Sequence, residues 1–299
     1  MPLVRAADPS LPIMAMTAWS TVPLAVAALR GGADDFVEKP WDNARLLETV
    51  EAHVAAGRAR RLARRLQDDA RDVQGRMLPA VPSVAGYDVG AAWRFVESLG
   101  GDAYEVIPLG GERLAVAIAD VCGKGLPAAL LMASLHADLQ AAAEERSPRE
   151  ACRRVAAQMR VRLGPDRFVS LVYAILDRAA GTLVYVNAGH PAAVLMRPDG
   201  HAVRLTTGGP VIGLDRETDF DEAVVTITGG DRLALYTDGV IEAGGLVGEE
   251  FGERRLVDIV ARERSRPAAE AAAQLIEAAA EFAGGVLRDD ATALVVTVE

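Results

Sequence analysis

From residue 80 to the end, the chain alternates between short apolar stretches and tight turns, and this pattern restricts the fold more than any other feature. Hairpin-like turns at residues 177–181 and 197–200 join neighbouring stretches. Four helical blocks interrupt them, at about residues 126–144, 147–163, 253–264 and 267–284. Strands in hairpins with segregated helices predict an α+β domain with antiparallel sheets. The predicted strands are residues 87–94, 113–119, 169–176, 182–186, 194–196, 223–227, 232–236 and 292–298.

Composition excludes several classes of protein. The 299 residues are 51% hydrophobic and 25% charged, which is typical of a globular chain of about two domains. No apolar run approaches the ~18 residues of a membrane span, and the N-terminus has no signal-peptide core. The net charge of −10 disfavours nucleic-acid binding. Cys122 and Cys152 lack the paired spacing of a disulfide framework or zinc site, so we expect a cytoplasmic protein.

The first 56 residues have a different pattern. An apolar run at residues 12–16, a helix at 22–29, a short strand at 35–38 and an amphipathic helix predict a parallel α/β arrangement. The helix is indicated by the spacing of Leu46, Leu47, Val50 and Val54. Sheets usually have about four to six strands, so two strands cannot form a complete doubly wound domain. We therefore expect part of a domain, with the rest encoded upstream of a start codon placed too late.

Particular residues in this segment resemble the C-terminal half of a CheY-like response-regulator receiver domain. They are Thr17 after the first strand, residues 32–37, and the pair Lys39-Pro40. The resemblance implies that Thr17 and Lys39 occupy the positions that bind the aspartyl phosphate in that family. The family's phosphoacceptor aspartate belongs to the other half, and Asp8 precedes the wrong strand to replace it. Thr17 and Lys39 are therefore expected to be remnants.

Residues 57–80 are predicted to form a helical signalling linker. Five arginines lie between positions 58 and 65, and Asp68, Asp69 and Asp72 follow. An apolar face of Leu62, Leu66, Val73 and Met77 would allow a coiled coil. A solvated helix face with ion pairs is favoured over a nucleic-acid patch.

Carboxylates recur where predicted strands end. Asp102 follows two glycines, Asp120 ends the strand at 114–119, Asp238 follows the strand at 233–236, and Asp289-Asp290 precede the last strand. Strand ends at one rim of a sandwich could bring them together, and clustered carboxylates stay ionised only beside a cation. Oxygen ligands select Mg²⁺ or Mn²⁺. On chemistry alone, turn-forming aspartates remain the alternative.

Five ordered motifs carry a second resemblance: residues 100–105, 119–130, 187–191, 230–242 and 288–292. Together they resemble the SpoIIE/RsbU-type branch of the metal-dependent protein phosphatases, the protein phosphatase 2C (PPM) superfamily, over about residues 73–298. The resemblance implies an αββα sandwich of two antiparallel sheets with a dinuclear metal site at one end. The expected organisation is a partial receiver at 1–56, the linker at 57–80 and the phosphatase domain at 81–299.

The resemblance also assigns metal ligands. Asp120 would bridge two Mn²⁺ or Mg²⁺ ions, Asp102 and the Val121 carbonyl would complete one site, and Asp238 and Asp289 the other. The family's reaction is attack of a metal-bridging hydroxide on phosphoserine or phosphothreonine, without a covalent phosphoenzyme. Asp120 and Asp238 are expected to be essential for catalysis.

Three further assignments follow from the motifs. Asp289 is preferred to Asp290 because the superfamily motif places a polar residue after the ligand. Gly123 and Gly125 suit both a tight turn into a helix and backbone binding of the substrate phosphate, to which Lys124 could add a cation. His190 is interpreted as part of a structural turn rather than a general acid.

The resemblance implies a phosphorylated substrate of the STAS-type anti-sigma-factor antagonist class, and signalling that arrives through the receiver and linker. A homodimer is one expected arrangement, and neither nucleic acid nor membrane is an expected partner. The competing hypothesis is a catalytically silent scaffold of the same fold. A dinucleotide fingerprint at residues 123–128 is disfavoured because its acidic partner, Glu144, lies in a helical run.

Overall fold

The computed structural model describes residues 1–18, 22–96, 99–214, 219–245 and 248–299. The chain divides into two compact units, Met1–Ala70 and Arg71–Glu299. A single helix, α3, runs from Asn43 to Met77, so the amphipathic helix and the linker helix expected from the sequence are one continuous helix. No helix of the described residues is long and apolar enough to cross a membrane.

After a short helix that was not predicted, the first unit has the expected order of strand, helix, strand and helix. Strands β1 and β2 pair in parallel, with Thr17 opposite Glu38. The Lys39 amide donates a 2.8 Å hydrogen bond to the Thr17 carbonyl, and the Lys39-Pro40 bond is cis. The two residues expected to be receiver remnants therefore lie at neighbouring strand ends. The elements are α1 Pro2–Ala7, β1 Met14–Thr17, α2 Val22–Arg30, β2 Asp35–Glu38 and the beginning of α3.

The second unit contains two mainly antiparallel sheets. One has the order β10-β7-β6-β5-β4, with β11 also paired to β7, and the other has the order β3-β13-β12-β8-β9. Its strands are β3 Tyr87–Arg94, β4 Ala103–Gly110, β5 Arg113–Val121, β6 Val169–Asp177, β7 Thr182–Ala188, β8 Ala193–Met196, β9 Ala202–Leu205, β10 Gly208–Gly209, β11 Ala223–Thr226, β12 Arg232–Tyr236 and β13 Ala291–Val298. Its helices are α4 Gly125–Ala142, α5 Pro148–Arg162, α6 Asp238–Ile241, α7 Gly252–Arg262 and α8 Ala268–Phe282.

Side chains of alternating direction divide the second unit into four layers. On β5, the large residues Leu114, Val116 and Ile118 face the other sheet, and the alanines between them face helices α4 and α5. Strand β13 likewise directs Leu294 and Val296 into the core between the sheets and its opposite face toward α7 and α8. Because both faces are buried, these strands appear in the sequence as continuous apolar runs. The fold is the expected αββα sandwich.

All eight predicted strands and four predicted helices of this unit are present, with ends shifted by two residues or less. Strands β4, β9 and β10 and the short helix α6 were not predicted. Glu105 and Pro108 interrupt the apolar pattern of β4, and proline is accepted there because β4 is an edge strand. The end of β5 lies two residues beyond the predicted end, so Asp120 is the second-last residue of this strand. Strand β5 continues through Val121, and Asp120 pairs with Ser170 of β6.

Candidate metal centre

The predicted ligands come from strand ends in both sheets. Asp102 directly precedes β4, which pairs with the strand that carries Asp120. Asp238 begins α6 just after β12, and Asp289 lies two residues before the neighbouring strand β13. Two adjacent strands of each sheet thus direct carboxylates to one end of the sandwich.

Asp102 is the most deeply held of these carboxylates. Asp102 is 2% exposed, and its Oδ2 accepts hydrogen bonds from the hydroxyls of Thr292 at 2.7 Å and Thr237 at 2.9 Å. Burial raises the pKa of Asp102 well above its usual value, and the nearby Asp120 raises it further, against the effect of the two hydroxyl donors. The site therefore holds a carboxyl group that is costly to ionise unless a cation is present.

Three carboxylates repel one another around Asp120. Burial, followed by repulsion from Asp238, Asp289 and Asp290, raises the pKa of Asp120 to about 7. Burial followed by repulsion from Asp289 also raises the pKa of Asp238. Such mutual repulsion in a partly buried space is the electrostatic condition that a divalent cation relieves.

Asp289 and Asp290 have different surroundings. Asp290 is buried, and its two oxygens accept backbone hydrogen bonds from Val96 at 2.9 Å and Gly101 at 3.0 Å. The Asp289 side chain is about half exposed, and its Oδ1 lies 3.1 Å from Lys124 Nζ. Asp290 thus uses both oxygens to bind backbone amides, whereas Asp289 pairs with Lys124 and stays half exposed.

The loop between β5 and α4 lies against the same region. Gly123 and Gly125 have φ values of +106° and +69°, in the left-handed region that favours glycine. Lys124 donates a 2.6 Å hydrogen bond to the Arg288 carbonyl besides its ion pair with Asp289. The ammonium is therefore attached to the segment that carries Asp289.

Gly101 allows the loop carrying Asp102 to approach Val121. The Val121 amide donates a 3.3 Å hydrogen bond to the Gly101 carbonyl. A Cβ atom on Gly101 would lie 2.7 Å from the Val121 carbonyl oxygen, closer than real Cβ contacts allow. The predicted carbonyl ligand thus sits next to Asp102 because position 101 has no side chain.

His190 takes part in the turn, as the sequence indicated. The ring is buried, its Nδ1 lies 2.7 Å from the Ser170 hydroxyl, and its Nε2 lies 3.1 Å from the Tyr236 carbonyl. Burial lowers the pKa of His190 to about 3, so the ring is neutral near pH 7. The Asn187 side chain bonds both the amide and the carbonyl of His190, which closes the turn.

Sequence reasoning missed Thr237, Thr292 and Gln74. The two threonines stand beside ligands in the quoted motifs, but nothing in the sequence indicated that both hydroxyls bond Asp102. Gln74 is 3% exposed, whereas Leu66 and Val73 of the predicted apolar face are more than half exposed. The apolar spacing of the linker gave no signal that the Gln74 side chain hydrogen-bonds the backbone of Gly100.

The donor set suits a hard divalent cation, because carboxylate and carbonyl oxygens are the ligands that Mg²⁺ and Mn²⁺ prefer. Within the five described segments, no group of three or more His, Cys, Asp or Glu side chains could hold a metal ion in its present arrangement. The carboxylates are thus electrostatically coupled without being closed into a coordination shell. Thr17 and Lys39 belong to the other compact unit.

The family model for stage II sporulation protein E (SpoIIE) matches residues 110–299, and the response regulator receiver domain model matches residues 1–51. The chain belongs to the SpoIIE family. Its SpoIIE-type domain is preceded by a receiver-type segment, as the motifs indicated.

Individual relatives agree with this membership. The chain is 27% identical to the phosphoserine phosphatase RsbU of Bacillus subtilis over 164 residues, which is 54% of this chain and 49% of RsbU. The SiaA-PP2C domain of Pseudomonas aeruginosa has the same fold, with a TM-score of 0.71, 24% identity, and coverage of 81% of this chain and 99% of that domain. RsbX, solved in complex with magnesium, gives a TM-score of 0.55 at 13% identity over 74% of this chain and 99% of RsbX.

The chain spans about a third to a half, 34% to 49%, of the length of three curated relatives that it matches, RsbU among them. The similarity therefore establishes the SpoIIE-type domain and its PP2C fold. It does not extend to the substrate of the whole protein.

Proposed function

We propose that this SpoIIE-family chain is a metal-dependent phosphatase that hydrolyses phosphoserine or phosphothreonine on a regulatory protein. The observation that carries the proposal is the convergence of Asp102, Asp120 and Asp238 from separate strand ends, with raised pKa values caused by burial and mutual repulsion. A space that disfavours ionised carboxylates but contains several of them is suited to divalent cations. The name of RsbU, a phosphoserine phosphatase, supports the reaction class.

The ligand assignment follows the motifs. Asp102 and the Val121 carbonyl would hold one ion, Asp238 and Asp289 the other, and Asp120 would contact both. When bound, Mg²⁺ or Mn²⁺ supplies the Lewis acidity that polarises the phosphoryl group and lowers the pKa of water. The chain's own contribution is orientation, since two threonine hydroxyls hold Asp102 by a single oxygen.

Substrate phosphate would bind at the start of α4. Gly123, Lys124 and Gly125 present backbone amides at the N-terminus of an 18-residue helix, where the helix dipole favours an anion. The Lys124 ammonium lies at the border between this loop and Asp289. We infer that it would bind a phosphate oxygen. Its positive charge also lowers the pKa of Asp120, against the repulsion from the neighbouring carboxylates.

The substrate that fits the family resemblance is a phosphorylated anti-sigma-factor antagonist of the STAS type. Signals would arrive through the receiver-type segment and α3. A catalytically silent scaffold is the second candidate, favoured by the absence of a closed ligand group among the described residues. A phosphatase should bind a divalent cation and hydrolyse substrate, whereas a scaffold should do neither, so measurements of metal binding and of turnover distinguish the two candidates.

The test is hydrolysis of p-nitrophenyl phosphate and of a phosphoserine-containing STAS protein, with Mn²⁺ or with EDTA. We expect activity in Mn²⁺, its loss in EDTA, and a loss of at least about 100-fold in Asp120→Asn and Asp238→Asn. The matched control is Asp258→Asn, an exposed aspartate on α7, which should keep the wild-type rate. Full activity in EDTA contradicts the proposal, and a folded chain that neither binds Mn²⁺ nor hydrolyses either compound is a scaffold.

A further inference from the structure

The last turn of α3 is bonded directly to the loop that carries Asp102. The Gln74 side-chain amide donates a 2.6 Å hydrogen bond to the Gly100 carbonyl, and its Oε1 accepts a 3.0 Å bond from the Gly100 amide. Gln74 is 3% exposed, in a helix whose other residues are mostly exposed. A buried amide that satisfies both backbone groups of one residue fixes the position of that residue, as a neighbouring strand would.

The other backbone groups of this loop are held by the sandwich. The Gly101 amide donates to Asp290, and the Gly101 carbonyl accepts from Val121. Asp290 directly precedes β13 of one sheet, and Val121 is the last residue of β5 in the other. Among the contacts of the described residues, Gln74 supplies the bond from α3 to this loop.

Little space is available for Gly100 to move independently. A Cβ atom built on Gly100 would lie 2.3 Å from the ring of Phe95 and 2.7 Å from Oδ2 of Asp290. That same Asp290 oxygen accepts the bond from the Gly101 amide, one residue before Asp102. A displacement of Gly100 would therefore be passed to Asp290 and Gly101 rather than absorbed by a gap.

We propose that Gln74 is a positioning residue for metal binding: by bonding both backbone groups of Gly100, it holds the Asp102 loop where that carboxylate can coordinate a cation. The inference rests on the proposed role of Asp102. It makes the last turn of α3 part of the metal centre, although no hydrogen bond among the described residues joins the Gln74 side chain to a predicted ligand, because both of its bonds go to Gly100.

The experiment compares Gln74→Met with Gln67→Met in the full chain. Methionine keeps the length and helix propensity of glutamine but removes both hydrogen bonds, and Gln67 is an exposed glutamine of the same helix. Mn²⁺ binding is measured by calorimetry, and activation of p-nitrophenyl phosphate hydrolysis is followed against Mn²⁺ concentration. We expect Gln74→Met to weaken the affinity about tenfold while the rate at saturating Mn²⁺ stays within about twofold, and Gln67→Met to match the wild type.

Two further variants make the test decisive. Gln74→Asn retains the amide but is one methylene shorter, so it should also weaken Mn²⁺ binding, and it replaces Gln74→Met if that variant does not fold. In an Asp102→Asn background, Gln74→Met should change Mn²⁺ affinity less than about twofold, because its effect acts through Asp102. If the effects of the two substitutions on the free energy of Mn²⁺ binding were fully additive, Gln74 would not act through Asp102.

The outcomes separate the inference from the proposed function. A lower melting temperature with unchanged Mn²⁺ affinity in folded Gln74 variants makes Gln74 a structural anchor only and overturns the inference. A wild-type chain that binds no Mn²⁺ overturns the proposed function, and the inference falls with it. Normal wild-type binding with weakened binding in both Gln74 variants supports both.

Discussion

The hydroxyl of Thr292 donates a 2.7 Å hydrogen bond to Oδ2 of Asp102, although the two residues are 190 positions apart in the chain. Thr292 lies on β13 in one sheet, and Asp102 directly precedes β4 in the other. Thr237 donates a second bond to the same oxygen. The orientation of the most buried carboxylate in the site therefore depends on how the two sheets pack.

Thr292→Val should weaken Mn²⁺ binding. Valine has nearly the shape of threonine but removes one of the two hydroxyl donors to Asp102, so the carboxylate is less well oriented and costlier to ionise. We expect about a tenfold rise in the Mn²⁺ concentration for half-maximal activity, equivalent to about 1.4 kcal/mol. The exposed Thr206→Val is the control. An unchanged Mn²⁺ requirement would show that the hydroxyl does not orient Asp102 for binding.

Ionisation of Asp120 should destabilise the metal-free chain. Its pKa is about 7 in the fold and near 3.8 when unfolded, so the folded state holds the proton more tightly. The contribution of this proton to the free energy of unfolding is fully present below about pH 4 and is lost as the pH rises to about 7. At pH 8 without metal, Asp120→Asn should therefore be more stable than the wild type, by about 1–4 kcal/mol.

This prediction is checked by urea unfolding at several pH values in EDTA, with Asp258→Asn as the control. The difference between Asp120→Asn and the wild type should grow between pH 4 and pH 7, and saturating Mn²⁺ should reverse its sign. A difference independent of pH would mean that the Asp120 carboxyl is not perturbed in the fold.

His136 should stabilise the fold most at low pH. It forms an ion pair with the fully buried Glu105, whose other oxygen accepts a 2.6 Å hydrogen bond from Gln140, so both contacts fasten α4 to β4. The hydrogen bond to Glu105 raises the pKa of His136, with burial opposing it. The stabilisation is thus fully present below about pH 6.5 and is lost as pH rises through the raised pKa.

His136→Ala should destabilise the chain by about 2–4 kcal/mol at pH 6, because it leaves the Glu105 carboxylate buried with one partner. The loss should shrink as the pH rises above neutrality, whereas the exposed His201→Ala should have little effect at any pH. Thermal melts at pH 6 and pH 9 measure this. Equal losses at both pH values would assign His136 a packing role without an ion pair.

Asp289→Asn and Asp290→Asn should fail in different ways. Asp289→Asn should leave the fold intact and raise the Mn²⁺ concentration needed for activity, because it removes the charge of a predicted ligand. Asp289 lies near enough to Asp120 and Asp238 to raise the pKa of both. Asp290→Asn should lower stability by about 1–3 kcal/mol, because an amide can accept only one of the two backbone bonds from Val96 and Gly101. Paired melting and Mn²⁺ titrations separate the effects, and equal mild losses would refute the choice of Asp289.

Most of the strands and helices, and the motifs that contain the acidic residues of the site, could be recognised in the sequence. Strands such as β5 and β13 are visible because each is an apolar run of the right length, and the residues that follow or precede them form recognisable motifs. The structural role of the 187–191 turn could also be predicted, since Asn and Gly commonly form turns. These are local properties, fixed by residues close together in the chain.

The tertiary structure alone decided which polar groups hold the site in place. Thr292 and Asp102 meet only because two sheets pack face to face, and Gln74 reaches Gly100 only because the last turn of α3 lies against that loop. Asp289 and Asp290 are adjacent and chemically identical, yet one is bonded by backbone amides and the other interacts with Lys124. Hydrogen bonds and burial depend on distances between segments far apart in the chain, and periodicity and motif spacing contain no such distances.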